Sequence, residues 1–442
     1  MKVLQISFKI LISSIVVTNA ISLPAFAHND IDHGEHNENH ETPKPQPHTH
    51  LNVRKSVTSL TSKEKSNLVN AIITLKNTTL PGNKLSIYDE FVAVHLGATR
   101  LIHNHEGHAS STQELAHENA AFLPWHREYI NRFEEALQTV DPSVTIPYWD
   151  WTDAKALDVI FNDDFLSPNG QGVTTNIPGL GNFTGGTVQS GAFSVANGWV
   201  LNPQLNYDPT AEKSLGTSLV RFLRVPPASE YPLPQRDIDR VMAINDYSLF
   251  RTALEGFVTV DEQGNIIPGG YTHNYIHGLV GGVQIDPTTT PVTFKGLGTM
   301  SNIPSSPYDP VFWLHHANVD RLWAEWQEDG HQGSDFYPAD GQPYGHNLND
   351  LMWPWDGGMS TPKATKLGDL LSLLPVFNSN DLVRPVDVLD YRNLGYTYDT
   401  LQSVPEPGST LALCSLSALL VISRRKRQAK PTKTKEISAI AS

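Results

Sequence analysis

Two blocks of histidines carry the chemistry this chain is equipped for. His273 and His277 stand four residues apart, so on a helix both imidazoles lie on one face and can share a metal ion. One such pair says little, because metal-free surface pairs are commoner. A second block holds His95, His117 and His126, and the pair His315-His316 extends the first. His126 and His316 fall in apolar stretches of helical spacing, where a lone histidine is more often a hydrogen-bonded core residue. Two blocks, each able to offer three imidazoles, shift the balance toward metal. Three nitrogen ligands suit copper or zinc, and copper is favoured on intrinsic affinity. Spacing alone leaves zinc-dependent hydrolysis open.

The rest of the composition narrows the metal chemistry. Cys414 is the only cysteine of 442 residues, so an intrachain disulfide, cysteine-ligated zinc and iron–sulfur clusters are all excluded. Any metal site must rest on histidine and carboxylate. A formal charge of −14 argues against nucleic acid as a partner.

Positioning these histidines requires helices, and the apolar spacing predicts them over Val57–Leu75, Ile87–Leu101, His126–Val140, Ile238–Phe257, His273–Leu279 and Phe312–Trp326. Residues 160–235, rich in Gly, Asn, Pro and Thr, predict long loops with short strands. The expected fold is mainly α, with a central four-helix bundle holding the metals inside a globular domain over 51–400.

Both ends read as export signals. Lys2 and Lys9, an apolar run from Ile10 to Ile21 and the small-x-small triplet Ala25-Phe26-Ala27 make residues 1–27 a signal peptide. Residues 28–50 hold His28, His33, His36, His40, His48 and His50 among polar residues, which predicts a disordered linker that either collects copper or is merely solvated. Within 401–442, Val404-Pro405-Glu406-Pro407 precedes the apolar run Thr410–Ile422 and the basic cluster Arg424-Arg425-Lys426-Arg427. This tripartite pattern resembles the PEP-CTERM sorting signal of bacteria, although the tail Gln428–Ser442 is longer than such signals usually carry. The resemblance implies an exosortase-type processing enzyme as partner, transient membrane anchoring and an extracytoplasmic location. A plain membrane tail is the competing reading, but the run is short against the ~20 residues of a bilayer span.

Phe122–Arg127 (FLPWHR) and Asp309–Asp320 (DPVFWLHHANVD) resemble the two signature motifs of the tyrosinase family of type-3 dicopper proteins, and the likeness runs over roughly 51–400. It implies two copper ions, with His95, His117 and His126 on copper A and His273, His277 and His316 on copper B. His316 is preferred to His315 because the motif sets the ligand four residues before Asp320. His103, His105 and His108 are expected to be exposed or to stand behind the ligands. Phe122 and Phe312 are expected beside the metals, Trp125, Trp313 and Trp323 in the core, Met300 and Ile303 at the entrance near copper B, and Asp320 with Arg321 orienting a ligand. Tyr396-Thr397-Tyr398 resembles the tyrosine motif that closes the catalytic domain, with Arg54 packed on one of its rings. The thioether-linked cysteine–histidine of plant and fungal relatives cannot exist here.

The implied activity is a copper-dependent oxidoreductase that uses O2 as co-substrate to hydroxylate monophenols and oxidise o-diphenols to o-quinones, on phenolic small molecules or tyrosyl groups. Two further residues are implied as catalytic. Glu255, in Leu254-Glu255-Gly256, and Asn274 match the pair thought to hold a water that takes the phenol proton. A salt-bridging role for Glu255 and a helix-capping role for Asn274 are the plainer alternatives. Rival functions are a catechol oxidase without monophenol activity, an oxygen carrier of hemocyanin type, and a surface protein that keeps the fold without catalysis.

Overall fold

The computed structural model describes residues 51–401, apart from short stretches at 100–101, 105–113, 178, 209–210, 287–292, 360, 364–372 and 374–377. The expected signal peptide, His-rich linker and sorting signal lie outside the described residues. Among the described residues no helix is long and apolar enough to cross a membrane.

Eight helices follow one another among the described residues: α1 (Ser62–Asn77), α2 (Ile87–Ala98), α3 (Phe122–Val140), α4 (Ala156–Ile160), α5 (Gln235–Met242), α6 (Tyr247–Glu255), α7 (Thr272–Gly281) and α8 (Val311–Glu328). The strands are short, and between α4 and α5 they form a three-stranded sheet over Gln171–Ile177, Gly181–Thr187 and Val220–Arg221. The fold is therefore mainly helical with looped excursions, as the sequence predicts.

Local chemistry explains where the boundaries differ from the periodicity. A 3-10 turn at Val57–Ser59 precedes α1, which starts only after Thr61, because Thr61 and Glu64 form a reciprocal capping box. The helix expected over Ile238–Phe257 is two helices. Asp246 accepts the Leu249 N–H at 2.8 Å and so begins α6 afresh. The helix expected from His126 begins at Phe122, with Pro124 in its first turn, where no intrahelical N–H bond is lost.

α3 packs on α8, and the Phe133 and Trp313 rings stack at 3.6 Å between them. Buried charge locks this pair. Asp320 of α8 accepts from Arg127 Nε of α3 at 2.5 Å, from Arg54 Nη1 at 3.4 Å and from the Tyr396 and Tyr398 hydroxyls at 2.6 Å each. Arg54 also donates to Glu134 at 3.0 Å, and its guanidinium lies 3.5 Å from the Tyr396 ring centre, as expected from the sequence. The strands Asn52–Arg54 and Tyr396–Tyr398 pair in parallel, so both ends of the domain close on this junction.

Burial pushes the Asp320 carboxyl up, but Arg127, Arg54 and the two tyrosine hydroxyls outweigh it and hold it below the ordinary aspartate value. A depressed carboxyl contributes stability above its unfolded pKa of about 4, and loses it as pH falls through the folded value. Asp320→Ala leaves two arginines buried without their shared anion. It should cost about 3–5 kcal/mol in urea unfolding at pH 7, and the deficit should shrink in acid.

Candidate metal centre

Four helices deliver five of the six predicted ligands: α2 carries His95, α3 His126, α7 both His273 and His277, and α8 His316. His117 comes from the loop before α3. All six are buried. His95, His117 and His126 form one group and His273, His277, His315 and His316 another, with the candidate ligand atoms of each group within 4.8 Å of one another. The groups adjoin, since the His126 and His316 rings stack at 4.2 Å and His117 and His273 lie 6.4 Å apart.

Main-chain carbonyls orient the rings. Nδ1 of His95 donates to Pro304 O at 3.1 Å, His126 to Phe122 O at 2.9 Å, His273 to Glu255 O at 3.1 Å and His277 to Met300 O at 2.7 Å. A carbonyl accepts only, so the proton of each neutral ring is on Nδ1 and Nε2 keeps its lone pair. Burial, reinforced by the neighbouring imidazoles, pushes His95 down to about 3 and holds His117, His126, His273 and His316 well below the usual histidine range. Burial also lowers His277 to about 4, against the pull of its Met300 hydrogen bond. The rings are neutral, as ligands must be.

Bare lone pairs then face one another. His273 Nε2 lies 3.2 Å from His277 Nε2 and 3.2 Å from His316 Nε2. The first of these contacts has no proton to share, and its spacing is that of nitrogens set about 2 Å from one common ion. On the other side, the Nε2 atoms of His95, His117 and His126 are buried without a partner among the described residues. Unpaired buried nitrogens are costly unless something satisfies them. Two metal ions do so, and the donor set of imidazoles alone fits copper.

His315 enters the second group, where the sequence favours only His316. Its ring lies parallel to His273 at 4.8 Å, and neither of its nitrogens joins the Nε2 contacts. Phe122 and Phe312 stand beside the ligands as expected, 4.9 Å from His126 and 4.1 Å from His316. Trp125, Trp313 and Trp323 are core residues. The side chains of His103, His105 and His108 lie outside the described residues.

Two expectations need correcting. Among the described residues Asp320 bonds to Arg127, Arg54, Tyr396 and Tyr398 rather than to a histidine, while Arg321 turns to Asn318 and Glu325 on another face of α8. Asp320 acts on the site only through the helices it ties. Met300 does not line an entrance: its side chain is fully buried, and its contribution is the carbonyl that holds His277. Ile303 is partly exposed.

Glu255 ends α6 and is buried beside the site. Gly256 follows at φ 100°, where a Cβ would fall 2.0 Å from Tyr271 O, so only glycine lets the chain reach Thr272 and His273 this closely. One Glu255 oxygen accepts the Glu118 N–H at 2.7 Å and the other accepts Arg251 Nη1 at 2.6 Å. Burial pushes the carboxyl up to about 7 against the pull of Arg251 and that N–H. The salt bridge foreseen as the plainer alternative is thus present. Asn274 is inside α7 rather than at its cap, with Oδ1 3.2 Å from His273 Nδ1. Sequence reasoning missed Arg251, Tyr247 and His346, which support the His117 loop. Tyr247 OH donates to Ala120 O at 2.7 Å, and His346 Nδ1 lies 3.4 Å from the Ala121 N–H. Helical spacing from Glu255 could have found Arg251; a lone loop histidine such as His346 gives no signal.

The common central domain of tyrosinase matches residues 85–329. The tyrosinase of Streptomyces glaucescens is 35% identical over 308 residues, covering 69% of this chain and 93% of the relative. That of Streptomyces antibioticus is 34% identical over 325 residues, covering 71% and 96%. Grixazone synthase of Streptomyces griseus is 30% identical over 332 residues, covering 69% and 94%. The matched span contains every helix that delivers a histidine to the two groups, and the chain belongs to the tyrosinase family, as a copper oxidoreductase with a dicopper centre and O2 as its co-substrate.

Proposed function

We propose that this enzyme is exported, hydroxylates monophenols and oxidises o-diphenols to o-quinones, with His95, His117 and His126 on copper A and His273, His277 and His316 on copper B. The observation that carries the ligand assignment is the meeting of Nε2 lone pairs whose Nδ1 protons are taken by carbonyls. When bound, the copper pair supplies O2 binding and electron transfer. The protein's own residues hold the imidazoles, exclude water and place the phenol ring. Export rests on the N-terminal basic and apolar pattern and on the Pro-Glu-Pro, apolar and arginine-rich tail.

Hydroxylation needs the phenol proton removed, and a phenol with pKa near 10 is almost wholly protonated at neutral pH. Glu255 and Asn274 support this step by position. Asn274 meets His273 through its side chain, and Glu255 holds His273 through its main-chain carbonyl while its carboxylate turns to the loop that follows His117. A carboxylate offers about four acceptor positions, so two remain on Glu255 for a water after Glu118 and Arg251 are served. The second reading, catechol oxidation alone, draws on the same two bonds, which already engage both Glu255 oxygens.

Copper-loaded protein should take up O2 with tyrosine and with a catechol; uptake with the catechol alone favours the second reading. Asn274→Leu should lower monophenol turnover at least about tenfold and leave catechol turnover near wild type; unchanged monophenol turnover removes Asn274 from the mechanism. Chelating both coppers should lower Tm, and two equivalents of Cu(II) should restore it, because the metal binds only the folded site.

A further inference from the structure

Among the six assigned ligands, His117 is held least by its own ring. Four of the others donate Nδ1–H to a carbonyl. His316 makes no Nδ1 bond, but it lies inside α8 with its ring stacked on His126. Among the described residues neither ring nitrogen of His117 finds a partner, and His117 sits in a loop, followed by Glu118 at a left-handed φ of 64°. A residue other than glycine holds that conformation only when its surroundings enforce it.

The enforcement comes from α6. The Glu118 N–H points at Glu255 Oε1 at 2.7 Å. Glu255 is fully buried, and Arg251, one helical turn earlier and almost as buried, grips Oε2 at 2.6 Å. A buried carboxylate bonded on one oxygen alone is free to rotate away, whereas two charge-assisted bonds on opposite oxygens fix its plane. The side chain of Glu255 therefore reaches the loop of copper A, while its main-chain carbonyl separately holds His273 of copper B.

We propose that Arg251 is a positioning residue for copper A: its ion pair aims the Glu255 carboxylate at the Glu118 N–H, and that bond sets the backbone that presents His117. This rests on the assignment of His117 to copper A. The loop that carries His117 is held through Arg251 and Glu255. Loss of Arg251 acts on one half of the centre, because the carbonyl that holds His273 belongs to the α6 backbone and stays in place.

The test loads full-length wild type, Arg251→Met, Arg251→Lys and His117→Ala with copper and measures copper per chain across a chelator series, with EPR on the same samples. Arg251→Met should release one copper at roughly 10–100-fold less chelator than wild type and keep the other as wild type does. The remaining Cu(II) should give the EPR signal of an isolated ion, which a spin-coupled pair lacks. Arg251→Lys, which keeps the charge, should recover most of the retention. Release of both coppers together, release of neither, or a lysine variant as weak as the methionine one overturns the inference. If His117→Ala loses a single copper while Arg251→Met loses none, the inference alone fails. If His117→Ala keeps both, the ligand assignment falls and takes this inference with it. Should Arg251→Met not fold, Arg251→Gln replaces it and is read in the same way.

Discussion

Several imidazoles turn unprotonated nitrogens toward one another in a dry interior, and most of the fold answers to that demand. Neutral rings are secured by burial, and tautomers by carbonyls that accept Nδ1 protons. Those carbonyls come from segments other than the ligands' own helices in three of four cases: Pro304, Met300 and Glu255. Pro304 O can point inward because the residue three positions on is Pro307, which has no N–H, and Met300 O because the 3-10 turn Thr299–Ser301 ends there. Tyr88 of α2 donates to Pro307 O and so seats this irregular segment against the helix that carries His95.

A second, charged layer stands behind the first. Arg127 follows His126 and Asp320 lies one turn beyond His316, so their ion pair fixes α3 against α8 where those two rings stack. Burying two arginines and an aspartate is favourable only when nearly every donor and acceptor finds a partner. Gln327, the carbonyls of Val388 and Leu389, Glu134 and the two tyrosine hydroxyls supply most of them. This recruits the first and last strands of the domain, so the ends of the chain are part of what holds the centre together. Glu255 does comparable work on the other flank, joining the loop of His117 to the turn before His273.

Part of the signal for the histidines that gather in the two groups is local, while their assignment to each copper rests on the family resemblance. His273 and His277 share a helix face by spacing alone, and FLPWHR and DPVFWLHHANVD are contiguous runs. Phe122 and Phe312 followed from the same arithmetic, one turn before a histidine. Helix existence was also readable, but boundaries slipped where a cap overrode the apolar period, as at Thr61 and Asp246. Asp320 was given the wrong task because a place one turn from His316 does not say which neighbour its side chain meets, and Met300 because a matching family position does not say whether its side chain is exposed.

The sequence by itself singled out the two blocks of histidines, the helices that carry most of them and the exclusion of cysteine chemistry, since these depend on residue type and short-range spacing, while the ligand set followed only from the family resemblance. Only the tertiary structure decided what holds those donors: that Arg54 and Arg127 meet on Asp320, that Met300 contributes a carbonyl rather than a side chain, and that Arg251 and Glu255 reach the loop of His117. These are contacts between residues up to 266 positions apart. They are set by how buried polar groups find partners once water is gone, which no periodicity records.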